Sequence, residues 1–357
     1  MESTPSSSGD GHALSEVGRR DLRRDAIDAF LGEFAPTENA DLLAEMLVTI
    51  CRLAKDKCGR GDLKILNTAL KELRYAFKIF EPYREIRKVS IFGSSRTAED
   101  HPEYQQAVLL ARRMREANWM VITGAGDGIM RAGHGGAGRE ASFGVAIRLP
   151  FEQATNDIIR DDQKLINFKY FFTRKLIFMK EASAVVLFPG GFGTQDEGFE
   201  ALTLVQTGKA QPVPIVLVDA PGATYWQEWR SYVTAELLAN GMIGPEDMDL
   251  LVTTDDVEQA VSEITGFYRV YHSSRYVRDN LVLRLRQRLE PTAIEQLNDE
   301  FGDLLLKGRI RQVDQPLGEE RDEHPDLPRL ILRFNRQSFG KLRQLINRIN
   351  AAHNGQG

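Results

Sequence analysis

The chain has only two cysteines in 357 residues, Cys51 and Cys58, too few for a disulfide framework. Placed in a helical pattern, they would stand two turns apart, about 10 Å along the axis, and they read as reduced core thiols. Long apolar runs are missing as well. No stretch approaches the roughly 18 residues of a membrane span, and the Ser-rich start, Met1 to Asp10, has neither the basic nor the apolar segment of a secretory signal. A cytoplasmic protein with no membrane partner is the expectation. Nor is there an excess of one charge: 46 Lys+Arg against 51 Asp+Glu leave a net charge of -5, so no global basic field draws nucleic acid, and no nucleic-acid partner is expected.

Several catalytic constellations are absent too. No second His or Cys lies at ligand spacing from His134, which reads as a helix-surface or packing residue, so no metal is expected. There is no G-x-S-x-G, and no histidine is tied to Ser94-Ser95, which removes the nucleophilic triads. Gly124-Ala125-Gly126-Asp127-Gly128 is spaced GxGxG, unlike the GxGxxG of dinucleotide sites, and the next strand ends near Arg148-Leu149-Pro150 without an acid for a ribose. No cofactor is expected.

What is present is a 42% hydrophobic content, ordinary for a globular protein, spread over a length that suits two or three units. Residues 1–15 are small and polar and read as a disordered tail. Residues 16–86 read as a helical extension. Leu42, Leu43, Met46, Leu47, Ile50 and Leu53 make one stripe, and Leu66, Ala69, Leu70, Leu73, Ala76 and Phe77 another, in a hairpin expected to pack on a neighbouring domain or subunit. From Arg87 to Phe267, short β-branched runs alternate with amphipathic ones, the pattern of a doubly wound parallel α/β sheet. Its strands are expected at Val89 to Phe92, Trp119 to Thr123, Val145 to Leu149, Ala184 to Phe188, Pro214 to Val218 and Leu250 to Thr253. Residues 268–357 follow the order βαββα, which suits an α+β module of the ferredoxin-like kind. Leu283 with Arg284, and Leu332 with Arg333, give its strands one greasy and one basic face.

The chemistry concentrates where strands end in glycine-rich loops, at Gly93-Ser94-Ser95-Arg96, at Gly124 to Gly128 and at Pro189-Gly190-Gly191-Phe192-Gly193-Thr194-Gln195-Asp196-Glu197. Ligands of open α/β sheets sit beyond such carboxyl ends. The third loop opens a helix, so bare amides and the positive end of the helix dipole favour a phosphate. Glu197 cannot itself bind phosphate and asks for another role, and Arg174-Lys175 supply cations from the preceding helix. A carboxylate about one sugar ring from a bound phosphate suits hydrolysis at a ribose carbon, where it stabilises an oxocarbenium-like transition state and positions water. The plainer reading of Glu197 and Glu200 is as acids complementing a helix dipole, worth ~0.3 to 1 kcal/mol.

These residues resemble the LOG (Lonely Guy) family of nucleoside 5'-monophosphate phosphoribohydrolases. Pro189 to Glu197 fits its PGGxGTxxE signature, and Arg174-Lys175, fifteen residues before Pro189, fits its RK pair. Phe92 to Arg96, Thr123 to Met130 and Leu149-Pro150-Phe151-Glu152-Gln153 resemble further signatures of its larger bacterial members. The resemblance covers about Arg87 to Phe267. It implies a Rossmann-like fold, a homodimer or larger homo-oligomer, and release of a free base and ribose 5-phosphate without a cofactor. It makes Arg174 and Glu197 the catalytic pair, and it gives the phosphate to Gly190, Gly191, Gly193 and Thr194. Lys175, Asp196 and Thr203 fall at substrate-contact positions, and Gly93, Ser94, Gly124 and Gly126 join the substrate-binding set. The older label of lysine decarboxylase for such sequences finds no chemical support. Phe171-Phe172 stand where plant-type members have Met-His, and Arg131 where larger members usually have an acid. The expected substrates are purine-type nucleoside monophosphates, cytokinin nucleotides among the candidates. The alternative is a non-catalytic nucleotide or cofactor carrier using the same cradle.

Overall fold

The computed structural model describes residues 26–27, 29–32, 39–148, 155–318, 320 and 324–352, so the Met1 to Ser15 tail and the Leu149 to Gln153 motif lie outside the described residues. By internal contacts the chain divides into two units, Met1–Thr68 and Ala69–Gly357. In the first, helix α1 (Ala40–Lys55) buries no residue, and Leu42, Leu43, Met46 and Ile50 of its stripe are between 39% and 54% exposed. Among the described residues this unit itself leaves most of that stripe exposed. The cysteines are free but are not core thiols: Cys51 is exposed on α1, which buries no residue, and Cys58 is half-buried just past the turn at Lys57, φ 55°. Helix α2 (Arg60–Phe80) runs on into the second unit, where Ala76 and Phe80 are buried and Phe80 stacks on Phe143 at 4.3 Å.

The second unit is built on a seven-stranded parallel sheet of order β4-β3-β2-β1-β5-β6-β7. Its strands are β1 (Lys88–Phe92), β2 (Met120–Thr123), β3 (Ser142–Ile147), β4 (Leu165–Phe168), β5 (Ala184–Leu187), β6 (Ile215–Val218) and β7 (Leu251–Thr254). Helices α3 (Pro102–Glu116), α4 (Ile129–Ala137), α5 (Phe171–Glu181), α6 (Phe192–Gln206) and α7 (Tyr225–Tyr232) lie between them, and α8 (Val257–Gly266) follows β7. A strand covered on both faces needs a continuous apolar run, and β5 (Ala-Val-Val-Leu) and β6 (Ile-Val-Leu-Val) are buried throughout. Their side chains alternate between two cores. Ala184, Val186, Val216 and Val218 join Leu110 of α3 and Ile264 of α8 on one face, while Val185, Leu187, Ile215 and Leu217 join Ile177 of α5, Ala201 of α6 and Trp226 of α7 on the other. The sequence pattern misses β4, which pairs with β3 from Gly144↔Leu165 to Ile147↔Phe168.

The C-terminal module is a four-stranded antiparallel sheet of order β10-β11-β9-β8. It comprises β8 (Tyr271–Val277), β9 (Asn280–Leu285), α9 (Pro291–Glu300), β10 (Arg311–Val313), β11 (Arg329–Leu332) and α10 (Phe339–Ala351). The βαββα order is carried by β9-α9-β10-β11-α10, and β9 and β10 run parallel with β11 between them, a split βαβ. The fourth, edge strand precedes this unit as β8, which the pattern also misses. Leu281, Leu283, Leu330 and Leu332 face the core under α10. On the opposite face Arg284 and Arg329 stand directly across from each other. Like charges so placed repel, and buried Glu320 bridges them, with Oε1 3.0 Å from Arg284 Nη2 and Oε2 3.0 Å from Arg329 Nε. Among the described residues no helix is long and apolar enough to cross a membrane.

Candidate active site

The strand order reverses at β1, which lies between β2 and β5, so the loops after these three strands are neighbours at the crevice of the sheet. They interlock through the backbone. Ser94 N donates to Pro189 O (3.0 Å) and Ile129 N donates to Ser94 O (3.0 Å). Gly128 turns at φ +60° with the Ser94 carbonyl so near that a β-carbon would stand 2.3 Å from it. At Gly190 a β-carbon would stand 2.1 Å from Thr194 Oγ1 and 3.0 Å from Ser94 N, so only glycine lets these loops close on one another. Gly93, Ser94, Gly190 and Thr194 are thus one assembly.

Helix α6 begins at Phe192. Thr194 N and Gln195 N donate to Gly191 O (3.0 and 3.1 Å), while the amides of Gly191, Phe192 and Gly193 have no intramolecular acceptor among the described residues. A β-carbon at Gly191 or Gly193 would meet nothing within 4 Å, so space lies open beside these donors. Tyr225 fastens the loop from outside, donating from its hydroxyl to Gly190 O (2.6 Å) and accepting from Gln195 Nε2 (2.7 Å).

Glu197, 8% exposed, stands one turn into α6, and Arg174 Nη1 of α5 lies 3.9 Å from its Oε1. Burial raises the Glu197 carboxyl to about 7 against the opposing pull of Lys175 and Arg174. The guanidinium is fixed on three sides: Nε donates to Val145 O (2.9 Å), Cζ lies 5.0 Å over the Phe178 ring, and the backbone at Gly124 is so close that a β-carbon there would stand 2.6 Å from Nη2. Burial lowers its pKa, and Glu197 opposes that fall. Lys175 makes its ion pairs with Asp196 Oδ2 (2.8 Å) and Glu200 Oε2 (2.5 Å), while its charge still acts on the Glu197 carboxyl. Thr203 is exposed farther along α6, and among the described residues no hydrogen bond joins its side chain to the loop after β5. Gly126 contributes its carbonyl, which accepts from Asn156 Nδ2 (2.9 Å).

Three supports were not foreseen from sequence. Glu72 of α2 accepts from Lys169 N (2.6 Å) and Thr173 Oγ1 (2.7 Å), anchoring the start of α5. His134 is fully buried, which excludes the helix-surface reading, and it bonds to Asn156 and Thr123. Tyr225 is the third. None belongs to a local motif; a carboxylate, an imidazole and a phenol are each ordinary where they stand in the sequence. Arg131 pairs with Glu99 (3.2 Å) and Asp157 (3.0 Å).

Fold and site define a Rossmann-like α/β protein with a glycine-rich helix start of open amides and a buried acid–guanidinium pair at the switch point of its sheet. A family model described as "Possible lysine decarboxylase" matches residues 126–264. A cytokinin riboside 5'-monophosphate phosphoribohydrolase of Mycobacterium tuberculosis is 35% identical over 101 residues, 28% of this chain and 52% of that protein. One from Arabidopsis thaliana is 23% identical over 189 residues, 51% of this chain and 84% of that protein. The chain thus spans about half the length of the first of these relatives. These matches cover part of the chain and agree with the resemblance to the LOG family carried by its motifs; the curated relatives themselves are phosphoribohydrolases. A molybdenum cofactor carrier protein from Chlamydomonas reinhardtii shares 19% identity over 51% of this chain and 97% of that one, at a TM-score of 0.36.

Proposed function

We propose that the chain hydrolyses the N-glycosidic bond of nucleoside 5'-monophosphates, purine-type and including cytokinin nucleotides, to free base and ribose 5-phosphate. The observation that carries this reading is the position of Glu197, buried one turn beyond open helix-start amides and facing Arg174 at 3.9 Å. The amides of Gly191, Phe192 and Gly193 take the 5'-phosphate, aided by the helix dipole. Glu197, with its carboxyl near 7, is matched to neutral-pH work as a base. It orients water toward C1' and stabilises positive charge building on the ribose. Water oxygen bonds to C1', the C1'–N bond breaks with its electron pair going to the base, and Glu197 takes up the water proton. Arg174 offers charge-assisted hydrogen bonds to the phosphate or to the departing base.

The homo-oligomer implied by the family resemblance has apolar surface to use, since α5 exposes Phe171, Phe172 and Leu176. Incubating the protein with a panel of nucleoside monophosphates and measuring free base and ribose 5-phosphate tests the activity. Glu197→Gln should bind nucleotide and release no base; release near the wild-type rate would reject the role of Glu197.

A further inference from the structure

We propose that Asn156 and His134 are positioning residues for the Arg174–Glu197 pair, acting through the Gly124–Gly128 loop. This rests on the phosphoribohydrolase reading of that pair. The loop carries a strained residue: Ala125 sits at φ 63°, a left-handed conformation unfavourable for a residue with a β-carbon. Three hydrogen bonds hold it there. Ala125 N donates to Thr123 Oγ1 (3.0 Å), Asn156 N donates to Ala125 O (2.9 Å), and Asn156 Nδ2 donates to Gly126 O (2.9 Å). The same amide group reaches His134 Nδ1 at 3.1 Å. His134 Nε2 lies 3.1 Å from Phe143 O, which can only accept, and 3.0 Å from Thr123 Oγ1. Because Phe143 O can only accept, it selects the tautomer with Nε2–H donating, so Nδ1 accepts from Asn156 Nδ2 rather than donating to Asn156 Oδ1, 3.3 Å away; burial lowers the histidine's pKa.

Thr123, His134, Asn156 and Gly126 therefore form a chain of bonds that clamps the loop against its own strain. The other side of that loop is the wall against which the Arg174 guanidinium lies, at Gly124. Releasing the clamp lets the wall move, loosens Arg174 and admits water beside Glu197, whose charged neighbours are Lys175, Arg174, Glu200 and Asp196.

Asn156→Asp is the test. It keeps the shape of the side chain and removes both amide donors while the backbone bond to Ala125 stays. In the ligand-free variant the Glu197 carboxyl, followed by 13C NMR, should titrate below its wild-type midpoint. The acid limb of the pH–rate profile should move the same way, and kcat should fall about ten- to a hundred-fold with KM nearly unchanged, as expected of a small misplacement of reacting groups. Thr123→Val, which removes the hydroxyl from the same chain of bonds, should act in the same direction. Folded variants that melt lower yet keep the wild-type Glu197 midpoint and kcat would assign Asn156 a purely structural role and overturn the proposal. Should the wild-type protein release no base from any nucleotide, the functional reading falls, and the Glu197 titration still decides the clamp.

Discussion

Glu197→Gln should stabilise the protein above neutral pH while removing turnover. The carboxyl is raised from its ordinary 4.5 to about 7, chiefly by burial. A native state that holds a proton more tightly than the unfolded chain gains stability from that group in full below the unfolded value, and the gain is lost as pH rises through the folded value. Here the window runs from 4.5 to about 7, and a difference of that size corresponds to about 3 kcal/mol. Solvent screening discounts it little, because the side chain is only 8% exposed. Glutamine stays neutral throughout and escapes the loss. Urea denaturation of both proteins, each at several pH values, measures the effect. The two stability curves should lie closest at the acid end of the window and separate through it, with the variant about 3 kcal/mol higher at alkaline pH. Parallel curves would mean that Glu197 ionises in the fold without cost, and the case for a base poised at neutral pH would fail with them.

Other outcomes follow from the same geometry. Arg174→Lys keeps the charge and loses the planar fork held by Val145 O and the Phe178 ring, so kcat/KM should drop by about ten-fold or more in a base-release assay. Gly190→Ala drives a methyl into Thr194 and Ser94 and should cost about 1–3 kcal/mol in a thermal melt. Gly191→Ala meets no atom within 4 Å and should melt like the wild type yet bind nucleotide more weakly in calorimetry, because the methyl enters the open side of the cradle. Glu320→Ala removes the carboxylate between Arg284 and Arg329 and should lower stability by about 3–5 kcal/mol in chemical denaturation, with little effect on phosphate binding at the cradle.

What was legible in the chain was local. The Val-Val-Leu and Ile-Val-Leu-Val runs report strands buried on both faces, because a parallel strand between two helical layers has no polar side to show. Pro189 to Glu197 reports a strand-turn-helix with an acid one turn in, because glycine and carboxylate spacing set backbone and side-chain direction within a few residues. Strands β4 and β8 escaped this reading. The first, Leu-Ile-Asn-Phe, is an edge strand interrupted by exposed Asn167, and the second, Tyr-His-Ser-Ser-Arg-Tyr-Val, is too polar to alternate cleanly; each is a strand because a neighbour supplies its ladder.

By itself the sequence determined the sheet's main strands, the glycine-rich turn after β5 and the acid and cations that flank it, all properties of short segments. Only the tertiary structure decided that Arg174 faces Glu197 while Lys175, its neighbour in the chain, turns to Asp196 and Glu200. It also joined Asn156 to His134 across 22 residues and Glu72 to Thr173 across 101. Such pairings depend on which loops the strand order brings to one crevice and on how deeply each group is buried, and neither is set by the residues beside it.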